Sequence, residues 1–561
     1  MRRRDLLAAA AAAALHARQS PGAQASLNAT PAVQAQTAPG TQPAPRPNIL
    51  WIMADQLRYD CLGANGTPLI RTPHLDRLAA RSANFSHAFV QSPVCVPSRV
   101  SYFTGRYPHS HKNRVNYTPL DDRELLMQRM LKDSGYRTGS VGKLHYYPPT
   151  AAHARSTGFD AVQLDDGIAR TDEFSDYVKW RNANDPRAKL HYHATEPKPG
   201  RNPFRAAIEY QYTPTAWTGR ETRTMLAEFA RAPEPFFLFS SFFKPHASYT
   251  VPEPYDTMFD GIEIPLPKQL TLADIQRLPL PVQKQILRGR PQYAMDRARL
   301  QWIYRSYYAS VAMIDDEVGR ILETLRATGQ ESNTIVVFST DHGDQLLEHG
   351  LEGKNLFYEA SVRVPFLVAL PGRIQPSRRA ELIEMVDVLP TLLDLCGLPI
   401  PTRVQGRSFA PLITAAPALA ATPEAHSAPA APSAAPPPNA SPATPRPNAA
   451  LYTPRPFVFA ENVIPEVINS GTLDLPYTPG QGIAGIRHPD AKMIRTARWK
   501  LNHYPGNSGE LYDLESDPGE ERNLYTSAAH QSRVRDMKDL LLDFLITADE
   551  TDQIAPRWRL Q

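Results

Sequence analysis

Four stretches of the sequence put side chains able to do chemistry just beyond short apolar runs. Asp55 and Gln56 follow Asn48–Met53, and Lys143 and His145 follow Thr138–Val141. His246 lies beyond Phe236–Ser240, while Asp341 and His342 lie beyond Thr334–Phe338. Carboxylates and an amide oxygen suit a hard divalent cation such as Ca²⁺ or Mg²⁺. An imidazole among them admits Mn²⁺ or another transition ion. Arg99, Lys143, His145, His246 and Lys354 make a cationic set suited to a small tetrahedral anion. A metal beside such a clamp is equipment for displacing an ester from sulfur or phosphorus. Each residue alone has a plainer reading: Asp55 caps a turn, Lys143 is solvated, His342 is a satisfied core imidazole. Their shared placement argues for a site.

The most specific string is Cys95-Val-Pro-Ser-Arg99, continuing to Phe103-Thr-Gly-Arg106. Pro97 suits the first turn of a helix, where an N–H has no partner to lose. A cysteine at a helix N-terminus with an arginine four residues on sits in positive potential, which lowers a thiol pKa. The alternative is a small apolar residue in a buried helix start. The chain has only three cysteines, Cys61, Cys95 and Cys396, and none is close enough in sequence to Cys95 to suggest a disulfide or zinc motif. Cys61 and Cys396 read as core residues.

These strings need elements to carry them. The four apolar runs read as buried strands. Helical pattern appears at His74–Ala79, around Glu124–Leu131, near Glu221–Ala230 and at Val386–Leu395. The clearest helix has Tyr307, Val311, Ile314, Val318, Ile321 and Leu325 on one stripe, with Gly329 at its C-terminal cap. Arg363–Ala369 continues the alternation of strands and helices. The expected fold is α/β, a large and mainly parallel sheet covered by helices. Ligands of such sheets bind outside the carboxyl ends of the strands, where all four chemical strings fall. Residues 150 to 215 lack periodicity and read as long surface loops. Phe457–Glu461, Met493–Lys500 and Glu510–Asp513 read as strands of a smaller antiparallel α+β subdomain, closed by a helix at Val534–Leu545.

The chain has 561 residues and a net charge of +4, room for a large core plus a smaller unit and no basic surplus pointing to nucleic acid. Residues 1–25 read as a signal peptide, with Arg3-Arg4-Asp5-Leu6-Leu7 resembling a twin-arginine signal and Ala23-Gln-Ala25 as the cleavage site. An ordinary Sec signal is the alternative. The apolar run is short of the ~20 residues that span a bilayer, so export to the bacterial periplasm without a stable membrane span is expected. Residues 26–46 read as a structureless tether, 47–414 as the catalytic domain, 415–449 as an Ala/Pro-rich disordered insertion, and 450–561 as the C-terminal subdomain.

Cys95-x-Pro-Ser-Arg99 with Thr104-Gly-Arg106 resembles the signature of the type I sulfatases, of the alkaline phosphatase superfamily. Asn48–Asp60, Gly142-Lys-Leu-His145, Lys244-Pro-His246, Asp341-His-Gly343 through Lys354 to Val364-Pro365, and Glu510–Pro518 look like further motifs of that family, in order. The resemblance spans residues 47 to 525 apart from the insertion. It implies that a maturation enzyme converts Cys95 to Cα-formylglycine, whose hydrate attacks sulfur and then expels sulfate. It also implies that Asp55, Gln56, Asp341, His342 and residue 95 hold one divalent ion, with Ca²⁺ first and Mn²⁺ or Mg²⁺ as alternatives. Arg99 and Lys143 would stabilise the hydrate, His145 and His246 would handle protons, and Lys143, His246 and Lys354 would bind the sulfate ester. Gln56 and His342 depart from the commonest arylsulfatase pattern and resemble the choline-sulfatase and phosphonate monoester hydrolase branches. A phosphonate monoester or phosphodiester hydrolase therefore competes with the sulfatase reading. A non-catalytic exported binding protein, with Cys95 left as a thiol, is the third reading.

Overall fold

The computed structural model describes residues 46–167, 174–190, 192–196, 202–288, 295–414, 452–463 and 490–548. The stretches read as signal peptide, tether (all but Arg46) and Ala/Pro-rich insertion lie outside the described residues.

Among the described residues one sheet is built from β1 (Asn48–Asp55), β2 (Ala83–Phe89), β3 (Arg137–Gly142), β4 (Ala161–Leu164), β5 (Phe236–Pro245), β6 (Thr334–Thr340), β7 (Arg363–Ala369), β8 (Ser377–Arg379) and β9 (Ile383–Glu384). A second holds β10 (Phe457–Val463), β11 (Asp490–Thr496), β12 (Trp499–Tyr504) and β13 (Ser508–Asp513). The large sheet runs β4-β3-β5-β1-β6-β7-β2-β8, with β9 beside β2. From β4 to β6 every pairing is parallel, and β7 runs antiparallel to both of its neighbours.

The apolar runs are continuous because both faces of the sheet are covered. In β1, Ile49, Trp51 and Met53 enter one core and Leu50, Ile52 and Ala54 the other. β6 divides likewise, Ile335 and Val337 against Val336 and Phe338. Each such side chain contributes about 1.5–3 kcal/mol through burial. One face is covered by helices Pro214–Phe229 and Arg297–Ala327, the latter burying the whole expected stripe from Tyr307 to Leu325. Helices Cys95–Thr104, Met127–Asp133 and Val388–Leu395 cover the other.

The small antiparallel sheet sends Phe459, Ile494, Leu501 and Leu511 against Val534, Met537 and Leu541 of the helix Gln531–Ala548. Its opposite face, with Val458, Ala460, Met493 and Tyr512, joins the core of the large sheet. Residues 150 to 215 differ from the loop expectation. They contain helix Ala151–Ser156, β4 and helix Asp176–Asn184. The last buries only Tyr177 and Arg181 and carries no apolar stripe to read.

Candidate active site

Parallel strands end on one edge, and that edge collects the polar strings. Asp55 is the last residue of β1, and Gln56 after it adopts φ +65°, a left-handed conformation uncommon outside glycine. The Gln56 N–H donates to Asp341 Oδ1 (3.0 Å), tying the end of β1 to the residue after β6. At the end of β3, Gly142 has φ +86°, and a Cβ there would sit against the carbonyl oxygen of Ser241. Only glycine lets the chain pass β5 this closely and deliver Lys143 and His145. The N–H groups of Leu144 and His145 both donate to Asp166 Oδ1, at 2.9 Å.

The helix Cys95–Thr104 is buried along its whole length and is fixed by polar contacts to the end of β6. Ser98 Oγ donates to the Asp341 carbonyl (2.5 Å) and Tyr102 to that of Thr340 (2.7 Å). Arg99, with no exposed surface, ties four strands together. Its Nε donates to Asp341 Oδ2 (2.8 Å) and Nη2 to Asp55 Oδ2 (3.2 Å). Its Nη1 donates to the Lys143 carbonyl (2.7 Å) and Ser241 Oγ (3.0 Å).

These anchors put Cys95 Sγ 3.2 Å from His342 Nε2, 3.0 Å from Lys354 Nζ and 3.9 Å from Lys143 Nζ. One ligand atom each from Asp55, Cys95, Asp341 and His342 falls within 4.8 Å of the others, and all four residues are buried. Lys143 pairs with Asp55 Oδ2. Lys354 Nζ also donates to Gln56 Oε1 (2.7 Å), so Gln56 shares that ammonium with Cys95. His342 Nδ1 donates to the Gly343 carbonyl (2.9 Å), which leaves Nε2 as the ring nitrogen facing Cys95.

The donor set fits a divalent cation. Asp55 Oδ1 is buried and has no hydrogen-bond partner among the described residues. Other buried carboxylate oxygens, Glu124 Oε2 and Asp166 Oδ2 among them, share this property; what singles out Asp55 is its grouping with Cys95, Asp341 and His342. Burial works to raise Asp55, but Lys143, His246, Lys354 and Arg99 outweigh it and hold the carboxyl well below its usual range. Burial likewise works against the Cys95 thiolate, and Lys143 with Lys354 overcome it.

A family model for sulfatases matches residues 47–398. The chain belongs to the sulfatase family. An arylsulfatase of Clostridium perfringens is 32% identical over 397 residues, covering 66% of this sulfatase and 78% of that protein. A multifunctional alkaline phosphatase superfamily protein of Trinickia caryophylli is 25% identical over 90% of this chain and 96% of its own. Among solved structures, a phosphonate monoester hydrolase from Silicibacter pomeroyi superposes with a TM-score of 0.72 at 23% identity, covering 90% and 96% of the two chains. That likeness concerns the fold, alkaline phosphatase-like with a separate small antiparallel sheet.

As a sulfatase the chain is a sulfuric ester hydrolase, and two further histidines lie on the same edge. His246 Nδ1 donates to the Ala247 carbonyl (2.7 Å), its ring packs on Phe243, and burial, aided by Lys354, pushes its pKa down to about 3. His145, at φ +59°, is likewise pushed to about 3 by burial and then Lys143. Its Nδ1 is buried without a hydrogen-bond partner among the described residues. Sequence reasoning missed Asp344. Its Oδ2 accepts from Gln56 Nε2 (2.6 Å), and its Oδ1 from the N–H groups of Leu346 (2.7 Å) and Gly353 (3.1 Å). It therefore orients the Gln56 amide and folds the loop that brings in Lys354. Its position directly after Asp341-His-Gly343 was the available signal. Cys61 and Cys396 are both buried and unpaired.

Proposed function

We propose that the chain cleaves organic sulfate esters with residue 95, matured from cysteine to formylglycine, as its nucleophile. Asp55, Gln56, Asp341 and His342 would hold one divalent cation, with Ca²⁺ the first candidate. The observation that carries this reading is the position of Cys95 Sγ, where Nε2 of His342 and the ammonium of Lys354 meet. That sulfur marks the place of the aldehyde hydrate's oxygens. The hydrate supplies one hydroxyl to bond sulfur and a second whose proton loss releases sulfate, and the bound cation supplies charge that polarises the ester.

The chain's own groups do the rest. Lys354 and Lys143 bind the sulfonyl oxygens and take up charge as the ester bond lengthens. Arg99 touches strand ends and acts as a positioning residue, holding Asp55 and Asp341 at fixed separation. His246, with Nδ1–H engaged by Ala247, has Nε2 available to pass a proton to the departing alcohol oxygen. Its depressed pKa belongs to the site without an anion. An ester's negative charge offsets Lys354 and Lys143 and favours the protonated ring. His145 serves proton movement on the Lys143 side.

The maturation enzyme would recognise Cys95–Arg99 before the chain folds, since the folded helix is buried. The N-terminal reading adds export to the periplasm. No helix among the described residues is long and apolar enough to cross a membrane. A phosphonate or phosphodiester substrate is the second reading, favoured by Gln56 and His342, which resemble the phosphonate monoester hydrolase branch. Parallel kcat/KM measurements on 4-nitrophenyl sulfate and phenyl phosphonate esters decide it. The sulfatase reading expects the sulfate to win, with formylglycine in the residue-95 peptide by mass spectrometry. Faster phosphonate turnover, or full activity with an unmodified thiol, contradicts it.

A further inference from the structure

Lys244 lies on β5 two residues before His246 and has no exposed surface. Lysine is almost never fully buried unless it is paired. Among the described residues no carboxylate pairs with this one, and burial, with no charged neighbour to offset it, pushes its pKa down to about 7. Its Nζ donates to the Ser248 carbonyl and lies 5.6 Å from the centroid of the Tyr192 ring. An amine has N–H donors in either protonation state, so this bond does not depend on the charge. Methionine would fill similar space with no amine to desolvate, so packing alone does not account for a lysine here.

The bond to Ser248 straps the turn at residues 244–248 across Pro245, His246 and Ala247. The far end of the strap is held from its other side: Ser248 Oγ meets His193 Nδ1 at 2.7 Å and Thr250 Oγ1 at 3.4 Å. Inside the strap, His246 Nδ1 donates to the Ala247 carbonyl (2.7 Å), whose peptide group ends at the Ser248 nitrogen. A rotation of the Ser248 backbone therefore turns the acceptor on which His246 depends. The ring's other support is Phe243, 4.9 Å away between centroids. That stacking sets the plane of the imidazole, and a flipped ring would satisfy it equally well. Only the Ala247 carbonyl decides which nitrogen carries the hydrogen and which is left for a proton in transit.

We propose that Lys244 is a positioning residue: by strapping Ser248 it holds the Ala247 carbonyl in the place that fixes the His246 tautomer and keeps Nε2 turned to the departing oxygen. It acts through the backbone and touches no reacting atom. The consequence for turnover rests on the reading of His246 as proton donor to the leaving alcohol, whereas the strap itself does not.

The test compares wild type, Lys244→Met, His246→Gln and the double variant on phenyl sulfate and 4-nitrophenyl sulfate, with thermal melting of each. The matching phosphonate esters serve if those are the better substrates. Protonating the departing oxygen matters most for the poorer leaving group. Lys244→Met should therefore lower kcat/KM for the phenyl ester at least about fivefold more than for the nitrophenyl ester, and should add little once His246 is gone. Lys244→Gln, polar but too short for the strap, carries the same expectation if Lys244→Met does not fold. Long-range 1H–15N spectra of the histidine rings, with His246 assigned by its absence in His246→Gln, read the tautomer without turnover. Burial keeps that ring neutral near pH 7, so wild type should show the Nδ1–H form and Lys244→Met a mixture. An unchanged tautomer overturns the proposal, as does an equal loss on both esters that recurs in the His246→Gln background. If His246→Gln itself treats the two esters alike, the proton-donor reading fails, and the ring spectra still decide the strap.

Discussion

Asp55 and Glu510 are both carboxylates without exposed surface, and the fold treats them in opposite ways. Glu510 Oε1 accepts from Tyr358 (2.8 Å) and Tyr512 (3.0 Å), and Oε2 from Asn502 (3.0 Å) and Tyr504 (2.7 Å). Every lone-pair direction is taken, and the result fastens the small sheet to the loop that carries Lys354. Asp55 keeps Oδ2 against Arg99 and Lys143 and leaves Oδ1 empty. A saturated buried carboxylate holds structure. An unsaturated one, ringed by cations and other donors, is a place prepared for a ligand.

The largest effect expected on the catalytic side is from Cys95→Ala. Turnover should fall by about four orders of magnitude or more, as with loss of other covalent nucleophiles, while thermal melting shows an intact fold. Retained turnover would break the account of that edge. Asp344→Asn should come next. It puts an amide NH₂ against either the Gln56 amide or the Leu346 and Gly353 N–H groups, and supporting partners of this kind cost about 10–100-fold in metal affinity. Isothermal titration of the metal checks this, and unchanged affinity would remove Asp344 from its positioning role.

Glu510→Gln sharpens the other half of the comparison. Leaving buried donors short of a charged acceptor should cost about 2–3 kcal/mol, seen as a lower melting temperature with metal content unchanged. The smallest effect at neutral pH concerns His111, buried with Nε2 on Ser101 Oγ (3.0 Å) and Nδ1 accepting from the Asn113 N–H (3.1 Å). Burial pushes its pKa down to about 3. The unfolded chain therefore binds a proton near pH 6.5 that the folded chain refuses until about pH 3. Stability falls as pH drops through that window, by up to about 1.4 kcal/mol per pH unit. His111→Gln should flatten that acid limb, and an unchanged slope would show that His111 does not titrate this way.

Much of this edge was legible because β1, β5 and β6 are buried on both faces, so their apolar runs are unbroken and their ends obvious. β2 was not legible: Ala83–Phe89 is short and polar in part, and its register shifts between Phe85 and Ala88. The antiparallel course of β7 was also hidden. The segment between β6 and β7 holds a 3-10 turn at Glu348–Gly350 and the short helix Glu359–Val362 rather than a crossover helix, so the chain returns the other way. At the site, strand-end positions brought forward Asp55, Gln56, Lys143, His145, His246, Asp341 and His342. Asp344 and the four-strand knot of Arg99 depend on distances across the sheet, which no local pattern records.

The most direct test of the contrast between the two carboxylates is elemental analysis of purified wild type, Asp55→Asn and Glu510→Gln, each dialysed against the same buffer. The account predicts one tightly held divalent ion per chain in wild type and Glu510→Gln, and its loss together with turnover in Asp55→Asn. Metal-free wild type that hydrolyses its ester at the full rate, or equal metal in all three proteins, would contradict it.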